Sequence, residues 1–152
     1  MKKSVISFAV ALVFLSLPSC LFANDRIPGP VFGVVTEVVD GDTVKVDAKP
    51  WPGTVMQVSV RLNGIDTPQI RGRCDFEKEA AQVARRRLAD LAPPGTPVRL
   101  ENIAHDKYAG RVDANLFLPD GVNPAVTLLN EGLGRPYDGG TRQGWCGATA
   151  TP

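Results

Sequence analysis

Val31-Phe32-Gly33-Val34-Val35-Thr36-Glu37-Val38-Val39, then Asp40-Gly41-Asp42, then Thr43-Val44-Lys45-Val46-Asp47: this stretch decides the fold class. The first run is rich in Val with a Phe, side chains that suit the half-buried surface of a strand. Asp-Gly-Asp is a turn signal, and residues 43–47 alternate apolar and polar. Two strands joined by a tight turn follow. Downstream, Lys49-Pro50-Trp51-Pro52-Gly53 reads as a loop. Residues 55–62 then alternate again, with Val58, Val60 and Leu62 on one face and Gln57, Ser59 and Arg61 on the other, and Asn63-Gly64 ends the run. Residues 98–103 and 112–118 supply two further strands.

The pattern predicts one clear helix, Asp75–Leu91. Its apolar residues Phe76, Ala80, Val83, Ala84, Leu88 and Leu91 follow the 3.6-residue period. Asp75 is expected as its N-cap. Acids crowd the first turn and Arg85-Arg86-Arg87 sit toward the far end, an order that suits the helix dipole. Pro93-Pro94-Gly95 stops it. A short second helix is signalled by Asn123 as cap, Pro124 at the first position and Gly132 at the end. Residues 135–152 read as a Gly-rich loop. Strands and helices do not alternate, so a doubly wound sheet is disfavoured. The expectation is an α+β, mainly β protein built as a small, partly open barrel.

Residues 4–24 carry no charge, follow Lys2 and Lys3, and end near the small Ala23. This is the layout of a secretory signal, with an apolar middle too short to span a membrane. Residues 1–23 are therefore expected to be a signal peptide, residues 24–30 a flexible lead-in, and residues 31–152 one domain. The protein would be exported, periplasmic or secreted. The alternative is a lipoprotein anchored through Cys20, since Leu17-Pro18-Ser19-Cys20 faintly resembles a lipoprotein box.

Cleavage after Ala23 leaves 15 basic against 16 acidic residues, a net charge of −1 with the single His neutral. Holding nucleic acid by bulk charge is excluded, so phosphate recognition would have to be local. Cys74 and Cys146 remain as an even pair in an oxidising compartment, where a disulfide is the default. With no Cys-x-x-Cys and one His, a redox site and structural zinc are both disfavoured.

Three polar turns could carry chemistry: Asp40-Gly41-Asp42-Thr43; Arg61-Leu62-Asn63-Gly64-Ile65-Asp66-Thr67-Pro68-Gln69; and His105-Asp106-Lys107-Tyr108-Ala109-Gly110-Arg111. Each alone is an ordinary loop. Together they offer carboxylates and a carbonyl for a hard cation such as Ca²⁺, and two guanidiniums whose forks match phosphate oxygens. A cation and arginines around a phosphodiester neutralise the charge that develops as water attacks phosphorus.

In this order and spacing, the three segments resemble the staphylococcal nuclease (thermonuclease) family over about residues 31–137. The resemblance implies a five-stranded OB-fold barrel with two to three short helices. It implies a Ca²⁺-dependent phosphodiesterase, an endonuclease acting on DNA or RNA, with single strands preferred. It implies that Asp42, Asp66 and the Thr67 carbonyl bind Ca²⁺, and that Arg61 and Arg111 grip the scissile phosphate. Lys107, Tyr108 and Tyr137 would contact the nucleotide. No stable protein partner is implied, and a monomer is expected.

Two departures stand out. Gln69 takes the place of the family's Glu, the residue usually assigned as general base, and the third turn has one extra residue before Arg111. An amide orients water but takes no proton at neutral pH, and general-base assistance is a factor of about 10²–10⁴ in rate. The alternative expectation is therefore a non-catalytic nucleic-acid or nucleotide-binding OB-fold module. Asp75, Glu77 and Glu79 are nearby acids that could take over as base. Arg71, Arg73 and Arg85 to Arg87 read as a solvated helix end or as a track for the nucleic-acid backbone.

Overall fold

The computed structural model describes residues 26–147. The expected signal peptide of residues 1–23 and its alternative, lipid attachment at Cys20, fall outside the described residues. Among those described, no helix is long and apolar enough to cross a membrane.

Strand β1 (Val31–Asp40) turns through Gly41 and Asp42 into β2 (Thr43–Lys49), with Asp40 opposite Thr43. The turn packs so closely that a Cβ at Gly41 would lie 2.7 Å from Ala84 Cβ and 2.8 Å from Thr67 Oγ1. β3 (Met56–Leu62) continues antiparallel to β2. β6 (Arg111–Phe117) joins β3 in parallel, and β5 (Pro97–His105) pairs antiparallel with both β6 and β1. The order β1-β2-β3-β6-β5 closes on itself. This is a five-stranded mixed OB-like barrel in an α+β protein, closed where the sequence pattern suggested a partly open one. The closing contact, β1 with β5, joins segments too far apart in the chain for periodicity to reveal.

The barrel interior is filled by alternate strand residues, among them Val44, Val46, Val60, Leu62, Leu100 and Leu116, all at most 1% exposed. Helix α1 (Asp75–Leu91) adds Leu88 and α2 (Pro124–Asn130) adds Leu128, both fully buried. Truncating such a leucine to Ala costs roughly 2–5 kcal/mol, so these two side chains fix the helices on the barrel. Asn123 caps α2 as expected, its side chain accepting from the Ala125 amide at 2.9 Å.

Five local expectations are corrected. Cys74, not Asp75, is the N-cap of α1, and Arg85 to Arg87 precede its last turn, which holds no basic residue. The buried stripe of α1 is Glu77, Ala81, Ala84 and Leu88, while Phe76 and Val83 stay about half exposed. Two small alanines let the helix approach the barrel, and Phe76, Ala80 and Val83 instead line a groove with Pro68 and Trp145. The supposed loop at 135–137 is a strand, β7 (Arg135–Tyr137), pairing with β4 (Gly64–Asp66). Three-residue strands are too short for a periodic signal. Finally, residues 26–30 do not run free: Ile27 bridges Ile103, and the Asn102 amide donates to Pro28 O at 3.0 Å.

Candidate functional site

The β1–β2 turn, the end of β3 and the short β4 meet at one end of the barrel. There Asp42 and Asp66 are 1% and 3% exposed, and Thr67 is fully buried. Asp42 Oδ1 accepts from Thr43 Oγ1 at 2.9 Å, and Oδ2 accepts from Arg61 Nη1 at 3.0 Å and from the Thr67 amide at 3.3 Å. Arg61 Nη2 donates to Ile65 O at 3.3 Å and stands 3.6 Å from Asp66 Oδ1. One guanidinium thus bridges two buried acids. Removing charges from water is costly unless they are paired, which is why Arg61 sits between them.

The loop after Thr67 is shaped by Glu77. Its carboxylate reaches out of α1 to accept from the Gln69 amide at 3.4 Å and the Arg73 amide at 3.0 Å. The loop wraps so tightly that a Cβ at Gly72 would lie 2.5 Å from Glu77 Cγ. Glu77 is therefore committed to backbone amides and is not free to act as a base. The Gln69 side chain donates from Nε2 to Thr67 O at 3.0 Å, beside the two acids.

Across the cleft, the turn between β5 and β6 forms a rim. Arg111 Nε pairs with Asp106 Oδ2, and the Arg111 guanidinium lies 4.5 Å from the centre of the exposed Tyr108 ring. Lys107 Nζ lies 5.2 Å from the same ring. Burial pushes the Asp106 carboxyl up, but Arg111 and the Tyr108 and Lys107 amides outweigh it and hold it below the usual carboxylate range. Asp113 is displaced the other way: burial raises it, and neighbouring Asp106 raises it further against Arg61 and Arg111. Asp40 is also raised, by burial and by Asp42, despite an amide from Gly41.

The segment after β7 folds back over the two acids as a strap. Tyr137 Oη donates to Gly140 O at 2.8 Å, and its ring lies 5.6 Å from the Arg61 guanidinium. Arg142 Nη2 donates to Thr67 O at 3.2 Å, lies 3.9 Å from Asp42 Oδ2 and pairs directly with Asp66 Oδ1. Trp145 Nε1 donates to Asp66 Oδ2 at 3.3 Å, and Arg135 stacks on the Trp145 ring at 3.7 Å. The strap ends at the Cys74–Cys146 disulfide, whose Cα atoms are 5.9 Å apart. Cys74, Glu77 and Cys146 cluster closely, but the sulfurs are bonded to each other, so they do not make a thiolate metal site.

Arg61, Arg111, Gln69, Asp42, Lys107, Tyr108 and Tyr137, singled out in the sequence, all line one cleft of about 610 Å³. Asp66 and Thr67 lie directly behind it. The expected disulfide is present. Sequence reasoning named Asp40 only as part of a polar turn, without a role, and did not single out Asp113 or Arg142; all three line the same cleft. Asp113 was hidden as a polar residue within a strand. Arg142 gave one signal: a basic residue in a Gly-rich tail just before a cysteine expected to be bridged.

The donor set fits a hard cation. Asp42 Oδ2, Asp66 Oδ1 and Thr67 O all converge on one positive group, the Arg142 guanidinium. Asp66 Oδ1 is buried and, among the described residues, has no hydrogen-bond partner of regular geometry. Oxygen ligands of this kind suit Ca²⁺. The chain matches no protein-family model and no curated protein.

Proposed function

We propose that this protein is an exported, monomeric, thermonuclease-like endonuclease that hydrolyses phosphodiester bonds of DNA or RNA, single strands above all, with Ca²⁺. The observation that carries the reading is the convergence of Asp42, Asp66 and the Thr67 carbonyl at the floor of a cleft whose walls present Arg61 and Arg111. The disulfide fits an oxidising compartment outside the cytosol.

Asp42, Asp66 and Thr67 would hold Ca²⁺. Bound there, the cation would supply charge neutralisation at a phosphate oxygen. Arg61 would turn one fork edge to the phosphate while keeping its bond to Asp42. Arg111 would exchange Asp106 for a second phosphate oxygen, which a guanidinium does without losing its charge. Tyr108, exposed on the rim, offers a face for a base, and Lys107 beside it a contact to the backbone. Gln69 would orient the attacking water by hydrogen bonds. Its proton would pass to solvent hydroxide, so cleavage would quicken with pH.

The test is incubation of the mature protein with single-stranded DNA, in Ca²⁺ or in chelator. Weak Ca²⁺-dependent cleavage is expected, abolished by Asp42→Ala and by Asp66→Ala. Full cleavage by either variant in chelator would reject the cation assignment. Gln69→Glu should raise the rate by on the order of 10² if the general base is the missing part. The substitution also replaces the amide donor to Thr67 O by a carboxylate, so a stability cost of about 1–3 kcal/mol should accompany it without cation.

A second reading is a binding module without catalysis. The tie from Gln69 Nε2 to Thr67 O favours it, since it commits that side chain as a donor beside the acids. It prevails if neither wild type nor Gln69→Glu cleaves while both bind single strands.

A further inference from the structure

Arg142 has no part in the mechanism above, yet it touches all three oxygens assigned to the cation. Its Nη2 is 3.2 Å from Thr67 O, 3.9 Å from Asp42 Oδ2 and paired with Asp66 Oδ1. Ca²⁺ approaches its oxygen ligands to about 2.3–2.6 Å. A guanidinium nitrogen among the same three oxygens excludes a cation at such distances. We propose that Arg142 is a built-in competitor for the cation: it neutralises Asp42 and Asp66 in the closed strap, and divalent cation binds when Arg142 withdraws. This rests on the reading of Asp42, Asp66 and Thr67 as the cation site.

The physical basis is twofold. Two carboxylates with at most 3% exposure carry a desolvation cost, and Arg61 alone compensates one charge. A second positive group is therefore required at the floor, and Arg142 is the one the strap delivers. The strap is anchored at both ends: β7 pairs with β4 before it, and the Cys74–Cys146 bridge closes behind it. Trp145 adds a hydrogen bond to the far oxygen of Asp66. Between the anchors, Gly139 and Gly140 adopt φ of +107° and +87°, with open space where side chains would stand. That glycine pair is where the strap has backbone freedom to lift Arg142 away.

The consequence is an affinity lowered by the fraction of molecules whose site is free. A site free about a tenth of the time weakens apparent binding roughly tenfold. The experiment is calorimetric titration of chelator-treated mature protein with CaCl₂, which needs no nucleic acid and reads no activity. Three proteins are compared: wild type, Arg142→Ala, and a variant with Gly-Ser-Gly-Ser inserted between Gly140 and Thr141. The insertion keeps every charge and the disulfide, and surface insertions of this kind cost little stability. Arg142→Ala should bind Ca²⁺ at least about tenfold more tightly than wild type, and the insertion about threefold, through a larger free fraction. Equal affinity in wild type and Arg142→Ala overturns the competition while leaving the cation reading intact. A gain in Arg142→Ala with none on insertion makes the effect a loss of nearby positive charge, and overturns the role of the strap. No binding by any of the three overturns this inference and the cation reading together.

Discussion

At the floor of the cleft, Asp42 and Asp66 each face two cations, Arg61 and Arg142, drawn from widely separated parts of the chain. On the rim, Asp106 faces Arg111, five residues away in the same turn. The floor exists only when β3, the β1–β2 turn, β4 and the strap are all in place. The rim closes on itself. The difference separates effects that propagate through the fold from effects that stay local, and substitutions can measure it.

Cutting the strap's far anchor should have the largest effect. The bridge closes a loop with a sequence separation of 72. In the chain-entropy account, its loss costs about 4 kcal/mol. We expect Cys74→Ser with Cys146→Ser to lose stability of that order in urea melts, while the Asp106–Arg111 turn keeps its structure. Two free thiols titrated in unreduced, periplasm-purified protein would show instead that the floor stands without the bridge. Next in size is Arg61→Ala, which strips the shared partner from two buried acids and is expected to cost about 3 kcal/mol, read from the urea midpoint at unchanged slope. A loss under about 1 kcal/mol would mean that Arg142 alone suffices to neutralise the pair.

The same contrast explains what could be read from sequence. The barrel strands, the span Asp75–Leu91 and the cap of α2 were legible because their signals are local: alternation, the 3.6-residue period, Asn-Pro. The three polar turns could be joined into one site only through the order and spacing of their residues in a family resemblance. Apart from its place shortly before Cys146, nothing local in Arg142 distinguishes it from a solvated arginine. Its role comes from the strap, and the strap comes from a strand of three residues and a disulfide. The misassigned helix face has a similar origin, since Phe76 and Val83 fit the period but face a groove with Trp145 rather than the barrel. Periodicity marks apolar stripes without saying which partner covers them.

On the rim, effects should be smaller. Asp106→Asn removes one partner of a partly buried pair and frees Arg111, and we expect a loss near 1 kcal/mol at neutral pH. The pH dependence sharpens this further. Asp106 has its carboxyl held below the ordinary value of 3.8, so its stabilisation is fully present above that value and is lost as pH falls through the lowered one. Asp113 is raised by burial and by Asp106, which reverses the sign. Between 3.8 and its raised value, the folded state binds the proton more readily than the unfolded chain, so acidification through that window adds stability. Urea midpoints between about pH 3 and 6 should therefore show a small rise and then a fall as pH drops. Asp113→Asn should diminish the rise and keep the fall. Asp106→Asn should diminish both, because Asp106 is the carboxylate that is lost on the acid side and also a charge that lifts Asp113. Unchanged profiles in both variants would show that the rim acids are uncoupled, and that the turn is held by its backbone alone.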